Sequence, residues 1–182
     1  MKALALDPAA RCGWAWGDGK TIQSGVWGLS ERSDQHPGQR LFRLRELLRQ
    51  AHDEVGFDVL AAEDASFGSR NPKTQASHNE LRGIISLVAA ECQVPLLLFH
   101  PTTIKKFATG DGRADKSQMV RACKTHFGIE ATDDNEADAI FVLLLAQQTA
   151  RAGRVVPATA GPKRRKAMPV GEVQRNFFKG RR

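Results

Sequence analysis

Three carboxylates stand at positions where a fold of alternating strands and helices builds its sites. Asp7 and Glu63 each close a short apolar segment, and Asp138 lies inside the apolar stretch of residues 137–146. A buried carboxylate without a partner costs several kcal/mol or takes up a proton, and a divalent cation removes that penalty. Because hard oxygen ligands suit Mg²⁺ and Mn²⁺, the three acids are candidates for a metal site.

Each of these acids also has a simpler interpretation. An aspartate before a proline, as in Asp7-Pro8, is common where a strand gives way to a turn. Glu63 and Asp64 could form a solvated strand end, and Asp138 could pair with an arginine. Residue types and spacing alone therefore leave the function open.

The first part of the chain predicts three short strands and one helix. The strands are expected at residues 2–6, 13–17 and 22–27, with a glycine-containing turn between the last two. Residues 41–55 then repeat apolar residues at steps of three and four with arginines between them. This period predicts an amphipathic helix that ends near Gly56. We expect the three strands to form an antiparallel meander.

The second part predicts two more strands and a series of helices. The strands are expected at residues 58–63 and 94–99, and their continuous apolar character indicates burial on both faces. Three longer helices are expected at residues 74–91, 115–127 and 134–152, the second of them ending before Gly128. A short helix, capped by Thr102 and ending at Phe107, is expected between the first two. Either Thr132 or Asp133 is the expected cap of the last helix.

The order of these elements predicts an α/β fold. A meander followed by strand–helix–strand crossovers gives a five-stranded mixed sheet, with an antiparallel meander plus parallel strands, flanked by helices. If the first and fourth strands are neighbours, Asp7 and Glu63 emerge side by side where sites form in such sheets. Trp14 and Trp16 alternate with Ala15, so we expect both to pack on one face in the core.

The charge of the chain is concentrated at its C-terminus. Residues 1–150 hold 17 Lys and Arg against 19 Asp and Glu, whereas residues 151–182 hold ten Lys and Arg and one acid, Glu172. The net charge of +7 therefore belongs to the tail, which suits a polyanionic partner; a tail that only aids solubility is the alternative. We predict one domain over residues 1–156 and a flexible basic tail over residues 157–182.

The composition argues against membrane and disulfide-rich classes. The apolar stretch at residues 137–146 is ten residues long and contains Asp138, so no membrane span is expected. The chain reaches Asp7 after only four largely apolar residues, which is too short for a signal-peptide core. Its three cysteines are far apart and indicate neither a disulfide framework nor a zinc site. A reducing cytoplasm is the expected location.

Six short segments resemble the RuvC family of Holliday-junction resolvases, over roughly residues 1–150. Each segment is weak alone, but six in the right order with sensible spacing are specific. They are Leu4-Ala5-Leu6-Asp7-Pro8, Ala61-Ala62-Glu63-Asp64, Leu81-Arg82-Gly83, Pro101-Thr102-Thr103-Ile104-Lys105-Lys106, Gly110-Asp111-Gly112-Arg113-Ala114-Asp115-Lys116 and Glu136-Ala137-Asp138-Ala139.

The resemblance implies an RNase H-like nuclease domain that cleaves Holliday junctions or other branched DNA. Family members use four acidic or equivalent residues to hold two divalent ions, so Asp7, Glu63 and Asp138 would be catalytic metal ligands. The expected cofactor is Mg²⁺, with Mn²⁺ as a substitute. Such ions orient an attacking water and stabilise the leaving 3′ oxygen, which leaves 5′-phosphate and 3′-hydroxyl ends.

The fourth ligand departs from the family pattern. The family usually places an acid or a histidine three residues before the last aspartate, where this chain has Asn135, and Asp134 lies one position earlier. Both residues share a helix face with Asp138. Asn135 offers a neutral carbonyl oxygen and Asp134 offers a charge. We favour Asp134 as the fourth catalytic residue and keep both as candidate metal ligands.

Cationic side chains in the matching segments and in the tail are the expected DNA contacts, because they neutralise phosphates. Phe67, in the loop after Glu63, is a candidate to wedge or stack at a junction, with packing on its own domain as the alternative. The cationic candidates, which could instead form solvated faces, are Lys105, Lys106, Arg113, Lys116, Lys163, Arg164, Arg165 and Lys166.

The resemblance also implies a homodimer bound to a four-way junction, because two strands are cut and a twofold dimer carries two sites. Two other functions stay open. One is a nuclease of the same fold that acts on RNA or on RNA–DNA hybrid, and the other is a catalytically silent branched-DNA binding protein, which Asn135 makes plausible. The basic tail fits a viral member in a host cytoplasm as well as a bacterial one.

Overall fold

The computed structural model describes residues 1–31, 34–64 and 71–153. Within these ranges, five strands and five helices follow one another along the chain. They are β1 (Ala3–Asp7), β2 (Arg11–Gly17), β3 (Ile22–Gly28), α1 (Gln39–Glu54), β4 (Val59–Glu63), α2 (Pro72–Cys92), β5 (Leu96–Phe99), α3 (Pro101–Thr109), α4 (Lys116–Phe127) and α5 (Asp134–Arg151). Every predicted element is present, with ends that differ by a few residues.

The five strands form one sheet in the order β3-β2-β1-β4-β5. Strands β1, β2 and β3 pair antiparallel, whereas β4 and β5 run parallel to β1. The predicted five-stranded mixed sheet is therefore confirmed. The expected burial of residues 94–99 was wrong, because β5 starts at Leu96 and is half-buried along its length. It is the edge strand of the sheet, so one side of it has no neighbouring strand to cover it.

The two faces of the sheet are covered by different helices. Along β1, Leu4 and Leu6 pack with α1 and α2, whereas Ala3 and Ala5 pack with α3, α4 and α5. This division follows from the alternation of side chains across a strand. The large side chains fill one layer, and the small side chains let α5 approach the centre of the sheet closely.

Strand β2 repeats this division with still smaller residues. Gly13, Ala15 and Gly17 face α5, and a methyl group at Gly13 would lie 1.9 Å from the main-chain oxygen of Asn135. Trp14 and Trp16 point to the opposite face and pack there, as predicted. The helix therefore rests almost directly on the backbone of the strand.

The helix ends show which polar residues act as caps. Thr102 does not cap α3: His100 occupies the cap position, and its Nδ1 accepts a hydrogen bond from the backbone N–H of Thr102 at 3.3 Å. The prediction was wrong because Pro101 is the first helical residue, a position that proline favours. For α5, the cap is Asp133 and not Thr132, since the Asp133 carboxylate accepts from the backbone N–H of Glu136 at 3.0 Å.

Helix α5 is buried along much of its length, including the five consecutive residues from Ala139 to Leu143. It packs on β1, β2, β3 and β4, and on α3 and α4. In the described part of the chain, no helix combines the length and apolar character that crossing a membrane requires.

Candidate active site

The sheet places Asp7 and Glu63 next to each other. Strands β1 and β4 are parallel neighbours with Leu6 opposite Ala62, so Asp7 and Glu63 are the following residue on each strand. Because side chains alternate, both acids share the face of Ala5 and Ala61, which is the face that α5 covers. The predicted side-by-side arrangement is confirmed.

The first turns of α5 bring two more acids over this edge of the sheet. Asp134 is the first residue of the helix and Asp138 lies four residues later, so both project to nearly the same side. The neighbours Ala137 and Ala139 are fully buried, which fixes the helix against the sheet. The main-chain oxygen of Asn135 also lies close above Gly13. Since Gly13 is the strand partner of Asp7, this contact holds the first turn of α5 beside Asp7.

Burial and mutual repulsion raise the pKa values of three of these acids. Burial, followed by the charges of Glu63, Asp138 and Asp134, raises the pKa of Asp7 well above its usual range. Burial and the charge of Asp138 raise the pKa of Glu63 to about 7. Burial and the charge of Asp134 raise the pKa of Asp138 to about 6. The four carboxylates are therefore one electrostatic cluster.

Two lysines oppose the repulsion among the acids. Lys105 on α3 acts to lower the pKa of both Glu63 and Asp138, and Lys116 acts in the same direction on Asp7 and Asp138. Lys116, at the start of α4, is exposed and forms an ion pair with the carboxylate of Asp134. The rim of the acidic cluster is therefore cationic.

The donor set suits a hard divalent cation. The Oδ1 atom of Asp138 is buried and accepts no hydrogen bond from the described residues, which is costly unless another positive partner is present. Within residues 1–31, 34–64 and 71–153, no three His, Cys, Asp or Glu side chains are gathered tightly around one point as metal ligands. The acids are related instead by their effects on one another's pKa, and the charge of a divalent cation would offset that repulsion.

The other predicted site residues are distributed as follows. Lys106 and Arg113 are exposed, on α3 and in the segment before α4. Asn135 is the second residue of α5, and its main-chain oxygen lies above Gly13. Phe67 and the basic cluster at residues 163–166 lie outside the described residues, so those parts of the prediction stay untested.

Two residues near the site have roles that the sequence analysis did not predict. Glu136 is only 5% exposed and hydrogen-bonds to Ser24 and Thr132, and nothing local in the sequence pairs Glu136 with a residue 112 positions earlier. Gly13 lies in a strand whose sequence alone predicts no special role for it. The alternation of Gly13, Ala15 and Gly17 along this strand is the sequence signal for close approach of a helix.

Comparison with known proteins decides the family. The family model for crossover junction endodeoxyribonuclease RuvC matches residues 6–145. The chain belongs to the RuvC family. The RuvC protein of Chloroflexus aggregans is 30% identical over 156 residues, covering 82% of this chain and 94% of that protein. The RuvC protein of Rhodococcus opacus is 30% identical over 187 residues, covering 96% and 98%.

Solved RuvC structures share the fold. The structure of RuvC from Thermus thermophilus in complex with Holliday junction substrate superposes with a TM-score of 0.72 at 19% identity, covering 86% of this chain and 99% of that chain. The predicted RNase H-like fold is therefore confirmed. RuvC-family proteins are metal-dependent nucleases, which agrees with the acidic cluster above.

The raised pKa values of Glu63 and Asp138 predict how pH acts on the metal-free protein. A carboxyl whose folded pKa exceeds its unfolded value stabilises the fold at low pH and loses that contribution as pH rises through the folded pKa. In EDTA, the free energy of unfolding should therefore fall by a few kcal/mol between pH about 5 and about 8. Mg²⁺ should reverse this loss, with a larger rise in Tm at the higher pH.

The control for this pH prediction is Glu63→Gln, which removes one titrating group and keeps its shape. Titrations outside the acidic cluster are common to the two proteins, and removing the Glu63 charge also lowers the pKa of Asp7, so the difference between the stability curves reports on the cluster. The variant should lose less stability than the wild type over the same pH range, measured by thermal denaturation in EDTA. Parallel curves would mean that Glu63 ionises normally.

Proposed function

We propose that this chain is a Holliday-junction endonuclease that hydrolyses phosphodiester bonds in four-way or otherwise branched DNA. The observation that carries the proposal is the cluster of Asp7, Glu63, Asp138 and Asp134 at one sheet edge in a RuvC-family chain. The Thermus thermophilus relative was solved with Holliday junction substrate. Hydrolysis by in-line attack of water leaves 5′-phosphate and 3′-hydroxyl ends.

The proposed cofactor is Mg²⁺, with two ions in each active site and Mn²⁺ as a substitute. Asp7, Glu63, Asp138 and Asp134 would hold the ions, and the unpartnered Oδ1 of Asp138 supports this assignment. When bound, such ions supply activation of the attacking water and charge stabilisation of the leaving 3′ oxygen. The sheet and α5 contribute a rigid frame for the carboxylates, which side chains on loops would not provide.

Two lysines are proposed to hold the scissile strand. Lys105 and Lys116 lie at the rim of the acids, where their charges reach Glu63, Asp138 and Asp7. A phosphate that enters the site would meet repulsion from the carboxylates, and the lysines offset it. Lys116 would exchange its ion pair with Asp134 for a phosphate contact, which would free Asp134 to bind a cation.

The assignment of the fourth ligand can be tested with two neighbouring variants. Asp134→Ala should reduce cleavage at least about tenfold, the loss typical even of a residue that only supports a ligand. Asn135→Ala should change the rate by less than about threefold, since an amide adds no charge. The reason for the difference is that the charge of Asp134 reaches both Asp7 and Asp138. Single-turnover cleavage over a range of Mg²⁺ concentrations measures both effects.

Measuring thermal stability distinguishes a metal-binding role of Asp134 from a role in stabilising its own helix. A first-turn acid stabilises its helix by about 0.3–1 kcal/mol through the helix dipole, and losing only that contribution would lower Tm while sparing the rate. A normal rate for Asp134→Ala together with an inactive Asn135→Ala would move the assignment to the amide oxygen.

The proposed assembly is a homodimer with one active site per subunit, because a symmetric junction is cut on two strands. The basic residues of the tail, Lys163, Arg164, Arg165 and Lys166, are proposed to add phosphate contacts, as are Lys106 and Arg113. Phe67 is proposed to stack at the branch point. We place the protein with its DNA substrate in the cytoplasm, of a bacterial cell or of an infected host.

A cleavage assay tests the proposed function directly. Equal amounts of a synthetic four-way junction, a linear duplex of the same sequence and an RNA–DNA hybrid are incubated with Mg²⁺ or with EDTA. We expect cutting of the junction alone, in Mg²⁺ alone, with product ends that a ligase can rejoin. Preferential cutting of the hybrid would favour the RNA-directed alternative, and binding of the junction without cutting would favour the silent binding protein.

A further inference from the structure

A buried carboxylate that takes no direct part in the acidic cluster joins α5 to the far edge of the sheet. Oε1 of Glu136 accepts a hydrogen bond from the hydroxyl of Ser24 on β3 at 2.6 Å. Oε2 accepts from the backbone N–H of Thr132 at 2.8 Å and from its hydroxyl at 2.6 Å. Both oxygens are therefore used, and the residue is only 5% exposed.

Helix geometry relates this contact to the acidic cluster. Successive residues of an α-helix turn by about 100°, so Glu136 and Asp138 project about 160° apart, whereas Asp134 and Asp138 project about 40° apart. Glu136 therefore faces β3 and the segment before the helix, while the two aspartates face β1 and β4. A rotation of the first turn about its axis would move all three side chains together.

Capping alone does not account for the Glu136 contacts. The cap of α5 is Asp133, which accepts from the backbone N–H of Glu136 and is itself paired with Arg11 at 2.9 Å. Ser24 contributes nothing to the helix end and lies on the edge strand, separated from β1 by β2. The Ser24 hydroxyl therefore joins the first turn to β3, whereas the pair of Asp133 with Arg11 joins the start of the helix to β2.

We propose that Glu136 is a positioning residue, and that its hydrogen bond to Ser24 sets the angle at which Asp138 and Asp134 meet Asp7 and Glu63. The inference rests on the proposed metal-dependent cleavage. Burying an ionised carboxylate is costly unless its oxygens are fully hydrogen-bonded. Here the three donors meet that requirement and at the same time connect the sheet edge to the helix.

The central variant, Ser24→Ala, deletes one hydroxyl on β3 and leaves the carboxylate of Glu136 in place. A second variant, Glu136→Gln, keeps the shape of the side chain but replaces one accepting oxygen with an amide group that only donates. The matched control is Thr149→Val, which removes a hydroxyl from the other end of α5, where Thr149 donates to the main-chain oxygen of Leu145 at 2.7 Å. Ser24→Thr, which retains the hydroxyl, is the rescue variant.

Two readouts do not depend on catalysis. In EDTA, amide hydrogen exchange at residues 135–139 should be faster in Ser24→Ala than in the wild type by about tenfold or more, and unchanged in Thr149→Val. The dissociation constant for Mn²⁺, measured by electron paramagnetic resonance of the free ion, should rise about tenfold in Ser24→Ala and Glu136→Gln. Ser24→Thr should return both values to those of the wild type.

Cleavage gives a third readout and separates the inference from the proposed function. The Mg²⁺ concentration for half-maximal cutting should rise in Ser24→Ala, while the rate at saturating Mg²⁺ changes less. If all variants lower Tm but leave the exchange rate of the first turn and the Mn²⁺ affinity unchanged, Glu136 is only structural and the inference is wrong. A wild-type chain that cuts no junction would contradict the proposed function, and the exchange result would still decide the role of Glu136.

Discussion

Replacing any one of Asp7, Glu63 and Asp138 by its amide is expected to reduce junction cleavage by at least about a hundredfold while junction binding is retained. Each amide keeps the volume of the acid but loses the charge that attracts a cation. Their mutual effects on pKa indicate that the three acids act as one cluster, so no neighbour compensates for the loss. Binding should be equal or tighter, because less negative charge faces the phosphates.

The measurement for this prediction combines two assays on the same protein. Single-turnover cleavage in Mg²⁺ gives the rate, and a gel-shift titration of the four-way junction in EDTA gives the affinity. The matched control is Asp58→Asn at the opposite end of β4, where Asp58 accepts from the backbone N–H of Lys2 at 2.9 Å, and this variant should cut normally. A near wild-type rate in one of the three amide variants would remove that residue from the site.

Gly13→Ala is expected to lower the free energy of unfolding by about 1–3 kcal/mol, the range for overpacking a filled interior, and to lower the cleavage rate as well. The added methyl group would lie 1.9 Å from the main-chain oxygen of Asn135 and 2.4 Å from its carbonyl carbon. These are backbone atoms of α5, so the clash cannot be relieved by turning a side chain. The first turn of the helix has to move away from β2, and it carries Asp134 and Asp138 with it.

A second glycine of the same sheet provides the control for Gly13→Ala. Gly28 on β3 has no atom within 4 Å of an added methyl group, so Gly28→Ala should leave both stability and cleavage close to wild type. Chemical denaturation gives the stabilities, and cleavage at saturating Mg²⁺ gives the rates. If the two variants behave alike, α5 does not rest on β2 as described.

Local patterns were sufficient to predict the framework of the site. Alternating and continuous apolar segments placed the strands. The side-by-side position of Asp7 and Glu63 was predicted on the condition that the first and fourth strands are neighbours, and the sheet meets this condition. The apolar surroundings of Asp138 identified it as an unusual acid. The half-burial of β5 was missed because an apolar strand has the same sequence pattern at the edge of a sheet as in its centre.

Contacts between distant segments could not be derived from local patterns. Lys116 pairs with Asp134 across the space between α4 and α5, and Ser24 meets Glu136 across the sheet. Both contacts depend on how the helices pack, which a single sequence does not specify residue by residue. The choice of Asp134 over Asn135 as the fourth ligand stays a prediction, which the Asp134→Ala and Asn135→Ala variants test.

The division of the sheet into two layers has a consequence for optical spectroscopy. Tryptophan accounts for three residues and tyrosine for none, so the ultraviolet emission of the protein comes from Trp14, Trp16 and Trp27. All three pack in the layer that α1 and α2 cover, on the opposite side of the sheet from the acids, and Trp14 and Trp27 stack with ring centroids 5.5 Å apart. Intrinsic fluorescence therefore reports on one layer, and a reporter for events at the acids has to be introduced on the other.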